Sequence, residues 1–398
     1  MATIINSDLV PQKQRGMYQA FQNVLHGLGS ICGASLGGLI CDAIGWRFCF
    51  LLQVPVSVAA LIIGKLAIPE KLKVEGDNNF DLQAKRPSKW EQIDLSGAGL
   101  LFTGLSLQLA AMSMGSNGMS WANPAVVICL VCSCLLLAGF FTVETKTRAI
   151  PIMPLGMLKS TERAALLIIN ACLGISGYGF LFLMPLFFQS VLLDSASVAG
   201  LRLVAPSLAT PIGGLTTGLI MRHGDRLSLL TRAGLLCLIV GGWFNLSLGM
   251  TDPLWKYSVY LMVGSFGQGM AYPSSLFGFI RACDHKEHAV ATSLLYLVRS
   301  MGAVWGVASV STVTQTVLAS KMSDAFSDKP GGPEIIEALK HSVEVLHRLP
   351  PEARHIAQGI YYDACRTGLY FLLGVNVVSM LCSLLVPYKR RGAGHAEH

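Results

Sequence analysis

Charge is what this sequence has least of. Only 13% of its 398 residues are Asp, Glu, Lys or Arg, where a soluble domain carries about a quarter. With 52% apolar residues, too little polar surface is left to cover a soluble core of this size. No Asp or Glu stands in the middle of any long apolar run, so a proton-coupling carboxylate of the usual kind is missing. There is no apolar h-region between Met1 and Gly16, a polar stretch holding Asp8, Lys13 and Arg15, and no secretory signal is read there. A P-loop, a Gly-x-Ser-x-Gly elbow and a His-Glu-x-x-His pair are absent, which removes the common nucleotide-hydrolysing, acyl-transfer and zinc-protease chemistries. No clustered catalytic set is visible, so neither an enzyme nor a bound cofactor is expected.

Two features that look informative resolve into bland readings. The net charge of +7 lies in short loops between apolar runs, without a basic stripe or an aromatic platform, which argues against nucleic acid. The eleven cysteines fall mostly inside apolar runs, as with Cys32, Cys172, Cys237 and Cys382. They read as small buried hydrophobes rather than a disulfide framework. Cys129, Cys132 and Cys134 have no second pair, so no metal site is expected. The His285-x-x-His288 spacing in a polar loop is better explained by helix capping and solvation.

What the chain does have is a succession of apolar runs near 20 residues. Each is long enough to cross about 30 Å of hydrocarbon. The runs predict about ten transmembrane helices, roughly 17–41, 47–68, 95–114, 122–143, 164–191, 198–221, 229–250, 256–280, 289–318 and 366–387. The fold class is therefore all-α, a polytopic membrane protein, because open strands leave backbone groups unpaired in lipid. Lys and Arg set the orientation. With both termini in the cytoplasm, inner segments hold Lys71, Lys85, Arg163, Arg222, Arg281 and Lys389 among others, while short outer loops hold only Arg47 and Lys256. Residues 69–94 form a polar cytoplasmic linker. Residues 319–365 form an outer loop with two amphipathic helix candidates, Pro333–Leu349 and Pro351–Asp363, expected along the membrane surface and each opened by a proline suited to a first turn.

Intramembrane polar residues are costly, so each is a candidate for function. Arg202 has two readings that both stand: a carboxylate contact at the outer mouth, or snorkelling to the interface. Arg299, about three turns into its span, reads better as an ion pair or carbonyl contact that fixes helix packing. His26 reads better as a packed histidine than as a proton relay. Asn170, Gln189, Asn245, Gln268, Tyr272 and Asn376 would bridge helices or line a cavity. Gln268 and Tyr272, one turn apart in a glycine-rich helix containing Pro273, are the best cavity-lining pair. The candidate solute pathway is thus Arg202, Gln268, Tyr272, Arg299 and Asn170.

The first span carries Gly29, Gly33, Gly37 and Gly38, a small-residue face that lets another helix approach closely. It follows Ser7-Asp8-Leu9-Val10-Pro11 and precedes Gly45-Trp46-Arg47-Phe48. This stretch resembles the fifth helix and its flanks in the 14-helix drug:proton antiporter-2 family of the major facilitator superfamily, with Ala34 where the antiporter motif has proline. Gly200-Leu-Arg202 through Pro206, with Pro211 and Gly213-Gly214, is similar to that family's tenth helix. Gly218, Arg222, Gly224 and Arg226 resemble a shortened copy of the facilitator loop motif, and His288 through Gly302 is similar to the thirteenth helix. Fungal vacuolar basic amino acid transporters and multidrug exporters look most alike.

The resemblance implies a major facilitator fold truncated by its first four helices. Residues 1–68 would be a two-helix remnant of the N-terminal bundle, 69–94 the linker and 95–143 an extra helix pair. Residues 144–387 would be a complete six-helix bundle and 388–398 a cytoplasmic tail. It implies a multi-pass protein of the vacuolar or plasma membrane that moves small organic solutes, basic amino acids or amphipathic drugs, coupled to protons. The alternative is a transport-inactive membrane protein, prone to self-association through exposed Gly-rich faces.

Overall fold

The computed structural model describes residues 12–67, 94–116, 119–147, 151–223, 226–284, 287–327 and 343–386. Among the described residues the regular structure is all helical. The order is α1 (Gln12–Ile44), α2 (Trp46–Ala67), α3 (Leu95–Ser116), α4 (Pro124–Lys146), a 3-10 turn (Leu155–Lys159), α5 (Thr161–Ser190), α6 (Ala196–Arg202), α7 (Val204–His223), α8 (Leu227–Leu246), α9 (Leu254–Arg281), α10 (His288–Phe326), a second 3-10 turn (Val343–Arg348) and α11 (Pro351–Leu384). All ten expected spans correspond to these helices, α6 and α7 together making one. By length and composition, eight are apolar enough to cross a membrane. The two left out, α1 and α9, are 33 and 28 residues long and carry the glycine-rich stretches.

Local chemistry sets the boundaries. Gly45 adopts φ +97° and donates its N–H to the carbonyls of Ile40 and Cys41, closing α1 in the way a left-handed glycine does. Asn123 caps α4 through Ala125 N–H, with Pro124 in the first turn. The break between α6 and α7 follows from Pro206, which has no N–H for the carbonyl of Arg202 four residues earlier. Leu203 turns instead, with its N–H on Gly200.

Helices α5 to α11 form one bundle, with α9 packed on α7, α8 and α5, and α11 packed on α5, α8 and α10. Its apolar interior divides into two clusters. One gathers Phe187, Phe188, Tyr257, Tyr361 and Phe326, the other Leu166, Ile169, Leu235, Phe279 and Leu294. Outside the bundle, α3 and α4 pack as a hairpin that rests on α10, while α1 leans on α6 and α7 and carries α2 on its far side.

The 319–365 region differs from its expected form. Helix α10 runs on to Phe326, and Pro351–Asp363 is the first third of α11 rather than a separate surface helix. The reason is anchoring. Lys321 pairs with Asp363 at 2.5 Å, Gln358 donates to the Val191 carbonyl, Tyr362 to the Leu248 carbonyl, and Arg354 to those of Leu346, His347 and Leu349. Those contacts hold the segment over the ends of α5 and α8. Residues 328–342, with most of the Pro333–Leu349 candidate, lie outside the described residues, as do 68–93 and 387–398.

Candidate functional site

Four of the five candidate pathway residues meet. Asn170 on α5, Gln268 and Tyr272 on α9, and Arg299 on α10 form one polar network inside the bundle. Arg299 donates from Nε and Nη2 to Asn170 Oδ1 (3.2 and 2.5 Å) and from Nη2 to the Tyr272 carbonyl (3.3 Å). Its guanidinium lies 4.3 Å from the Tyr272 ring centre and 5.4 Å from that of Tyr296, within cation–π range. Gln268 donates to the Tyr272 hydroxyl (2.7 Å), and Ser275 donates to Asn170 Oδ1 (3.3 Å). Gln268, Tyr272 and Ser275 follow the i, i+4, i+7 pattern of one helix face.

Backbone contact positions the network. An added Cβ at Gly174 would stand 2.9 Å from Ala303 N, and one at Gly302 would stand 3.0 Å from the Ala171 carbonyl carbon. So close an approach of α5 and α10 sets Arg299 beside Asn170, which is fully buried. At Gly177 a Cβ would stand 3.0 Å from the Tyr272 hydroxyl and overlap the Gln268 amide. The sequence points to close packing at Gly29, Gly33, Gly37 and Gly38, and the structure puts most of it elsewhere. A Cβ at Gly29, Gly33 or Gly37 would meet nothing within 4 Å. Only Gly38 is in contact, against Ala196 and Ser197 of α6, while Gly27 meets Pro211 of α7. Those residues are three turns apart and share the face that docks α1, and Asp42 adds a bond from Ser197 N–H (3.0 Å).

Arg202 lies apart from the network. It grips Asp194 through Nε and Nη2 (2.6 and 3.1 Å) and sits 5.5 Å from the ring centres of both Phe188 and Tyr257. The carboxylate it touches is the protein's own, and its side chain is mostly buried.

The loop-motif residues do not form a constellation among the described residues. Gly218 lies within α7, and Arg226 is exposed at the start of α8. Gly224 and the side chains of Arg222 and His26 lie outside the described residues. All eleven cysteines are free thiols.

Two spaces lie near the network, one of them lined by Gln268. A groove of about 560 Å³ runs between α3 and the bundle, lined by Leu109, Met112 and Ser113 of α3, Tyr178 of α5, and Ala303 and Val307 of α10 among others. Beside it, Trp305 donates its indole N–H to Gln108 (3.1 Å), tying the α3–α4 hairpin to α10. A second cavity of about 30 Å³, enough for a water molecule, lies inside the bundle and is lined by Ser176, Asn245, Ser265, Gln268 and Asn376 among others. Asn245 and Asn376 each leave Oδ1 without a partner there. Sequence reasoning missed Tyr178, Gln108, Trp305 and Ser275. A glutamine in an apolar span was a usable signal for Gln108. A surface tyrosine and a serine gave none.

Known proteins give this geometry a context. The sequence profile of the Major Facilitator Superfamily matches residues 1–307. The vacuolar basic amino acid transporter 2 of Saccharomyces cerevisiae is 42% identical over 322 residues, 80% of this chain and 68% of that protein. Multidrug resistance protein fnx1 of Schizosaccharomyces pombe is 30% identical over 97% of this chain and 72% of its own length. The vacuolar membrane amino acid uptake transporter fnx2 of the same yeast is 30% identical over 96% of this chain and 65% of its own length. The chain thus corresponds to about two thirds of each relative. With a profile match over most of its length and a helical architecture of the matching kind, this multi-pass membrane protein belongs to the Major Facilitator Superfamily.

Proposed function

We propose that this protein is a secondary transporter of small organic solutes, basic amino acids foremost, working across a vacuolar membrane with both termini in the cytoplasm. The convergence of Asn170, Gln268, Tyr272 and Arg299 from three helices carries the reading. Facilitators bind solute near the bilayer midplane and rock one bundle against another around the site. In this proposal helices α5–α11 are the complete six-helix bundle, α3–α4 the extra pair, and α1–α2 part of the other bundle. Proton coupling follows from the family resemblance. The relatives' names supply the solute class, and the partly buried guanidinium supplies a group able to hold a polar solute.

The test is uptake of radiolabelled lysine and arginine by proteoliposomes, with and without an imposed pH gradient. Uptake above protein-free vesicles, raised by the gradient, is expected. Correctly inserted protein that moves neither amino acid refutes the proposal.

A second reading has its own observation. No residue in the apolar window of α2 is buried, and Gly29, Gly33 and Gly37 meet nothing. On that reading the chain inserts but does not transport by itself, and α1 associates with another copy. Chemical cross-linking in native membranes between cysteines placed at Gly33 would support it, and monomeric, active protein would dismiss it.

A further inference from the structure

We propose that Arg299 is the receptor for a carboxylate on the transported solute. The inference rests on the transport reading above and adds the chemical group that the site recognises.

Charge compensation separates the two candidate arginines. Arg202 has its counter-ion, Asp194, at 2.6 Å. Arg299 has none. Among the described residues its hydrogen-bond acceptors are the amide oxygen of Asn170 and the carbonyl oxygen of Tyr272, both neutral, and Nη1 meets no acceptor. A cation held within a membrane protein is costly unless it is paired. The aromatic faces of Tyr272 and Tyr296 temper that cost without removing the charge. The site is nonetheless built with care. Asn170 is fully buried, holds the guanidinium through two of its nitrogens, and donates its own amide to the Leu166 carbonyl (2.8 Å), which fixes its orientation. A fixed, half-buried guanidinium with a free terminal nitrogen matches the planar geometry of a carboxylate. Tyr178, also a neighbour of Arg299, is 46% exposed and lines the large groove, so a space able to admit a solute lies one side chain away from Arg299.

Lysine and cadaverine test this directly, because cadaverine is lysine without its carboxylate. Binding of each is measured on the purified full chain in nanodiscs. The wild type should bind lysine at least about 10-fold more tightly than cadaverine, as expected for one charge-assisted pair. Arg299→Gln should abolish that preference by weakening lysine alone, and Arg299→Lys should keep part of it. The wild-type comparison needs no variant, so a folding defect in Arg299→Gln does not mask the answer. Equal binding of the two compounds by the wild type overturns the inference, as does an unchanged preference in monodisperse Arg299→Gln. In both cases the transport reading survives. If the wild type binds neither compound, the basic amino acid reading fails and the inference falls with it.

Discussion

Asn170 is the position where stability and recognition should come apart most cleanly. It is fully buried, and its Oδ1 accepts from Arg299 twice and from Ser275 once. Leucine has a similar volume but no acceptor. In Asn170→Leu, Arg299 keeps only the Tyr272 carbonyl at 3.3 Å, while Ser275 retains its bond to that same carbonyl at 3.2 Å. The loss is then chiefly the charged hydrogen bond, about 2 kcal/mol, and the melting temperature in detergent should fall by several degrees. Asn170→Asp acts in the opposite sense. It places a carboxylate against the guanidinium, gaining an ion pair while losing the amide donation to Leu166 (2.8 Å). Desolvation of the new charge offsets much of the gain, so stability should stay within about 1 kcal/mol of wild type. Recognition should not survive, because the internal carboxylate takes the place of the solute's. Thermal unfolding followed by thiol-reactive dye, together with lysine binding on the same samples, gives both readouts. A stable Asn170→Asp protein that still prefers lysine over cadaverine would refute the reasoning, and so would an Asn170→Leu protein that melts like wild type.

Gly177→Ala should push Gln268 and Tyr272 apart, since the new methyl overlaps the Gln268 amide. Overpacking and a lost hydrogen bond together cost about 1–3 kcal/mol, whereas Gly359→Ala, which meets nothing within 4 Å, should leave the melting temperature unchanged or slightly raised. Arg202→Gln should lower stability without touching the preference for lysine over cadaverine, and a double-mutant cycle with Asp194→Asn should return a coupling of roughly 1–3 kcal/mol. Asp252, in the turn before α9, has its carboxyl held below its usual pKa of 3.8, first by the Gly249 N–H and then by Lys256. A lowered folded-state pKa adds stability that is present above the unfolded value and lost as pH falls through the folded one. Asp252→Asn should therefore lower the melting temperature modestly at neutral pH, where the contribution is present, and flatten the acid limb below about pH 4, where wild type has lost it.

The helices were legible in the sequence because lipid leaves the backbone one choice, and all ten expected spans coincide with helices, eight of them apolar enough to cross a membrane. What periodicity could not show was which glycines touch. Gly29, Gly33 and Gly37 share a helix face as fully as Gly174 and Gly302 are separated in sequence, yet only the latter bring two helices into backbone contact. Spacing along one helix defines a face, and contact needs a partner that only the tertiary arrangement supplies. The same limit explains α11. Pro351–Asp363 is amphipathic enough to lie on a membrane surface, and its fate is decided by Lys321, Val191 and Leu248, all distant in sequence. Within the site, Asn170, Gln268, Tyr272 and Arg299 could be named from the rarity of polar residues in apolar spans, but the part played by Ser275 and the separation of Arg202 could not.

The two arginines show why grouping matters more than identity. By position, Arg202 lies nearer a helix end and invites a role at an entrance, while Arg299 lies deeper and invites a role in packing. Counting their partners supports the opposite assignment, proposed above. The Asp194 carboxylate satisfies Arg202 and makes it a clasp between α6 and the end of α5. The neutral oxygen of Asn170 orients Arg299 without cancelling it. The buried acids elsewhere do not supply the missing charge. Asp94 accepts from Gly97 N–H and Ser96, and Glu144 accepts from Met153 N–H, so both hold the ends of α3 and α4. A fixed cation with no acid of its own is a poor packing device, since a glutamine would hydrogen-bond the same oxygens without the desolvation cost. It is a good receptor for an anionic group. A basic amino acid brings that group together with a cation, and the faces of Tyr178 and Tyr296 near Arg299 offer the neutral, π-rich surface on which a second cation can be held without a carboxylate.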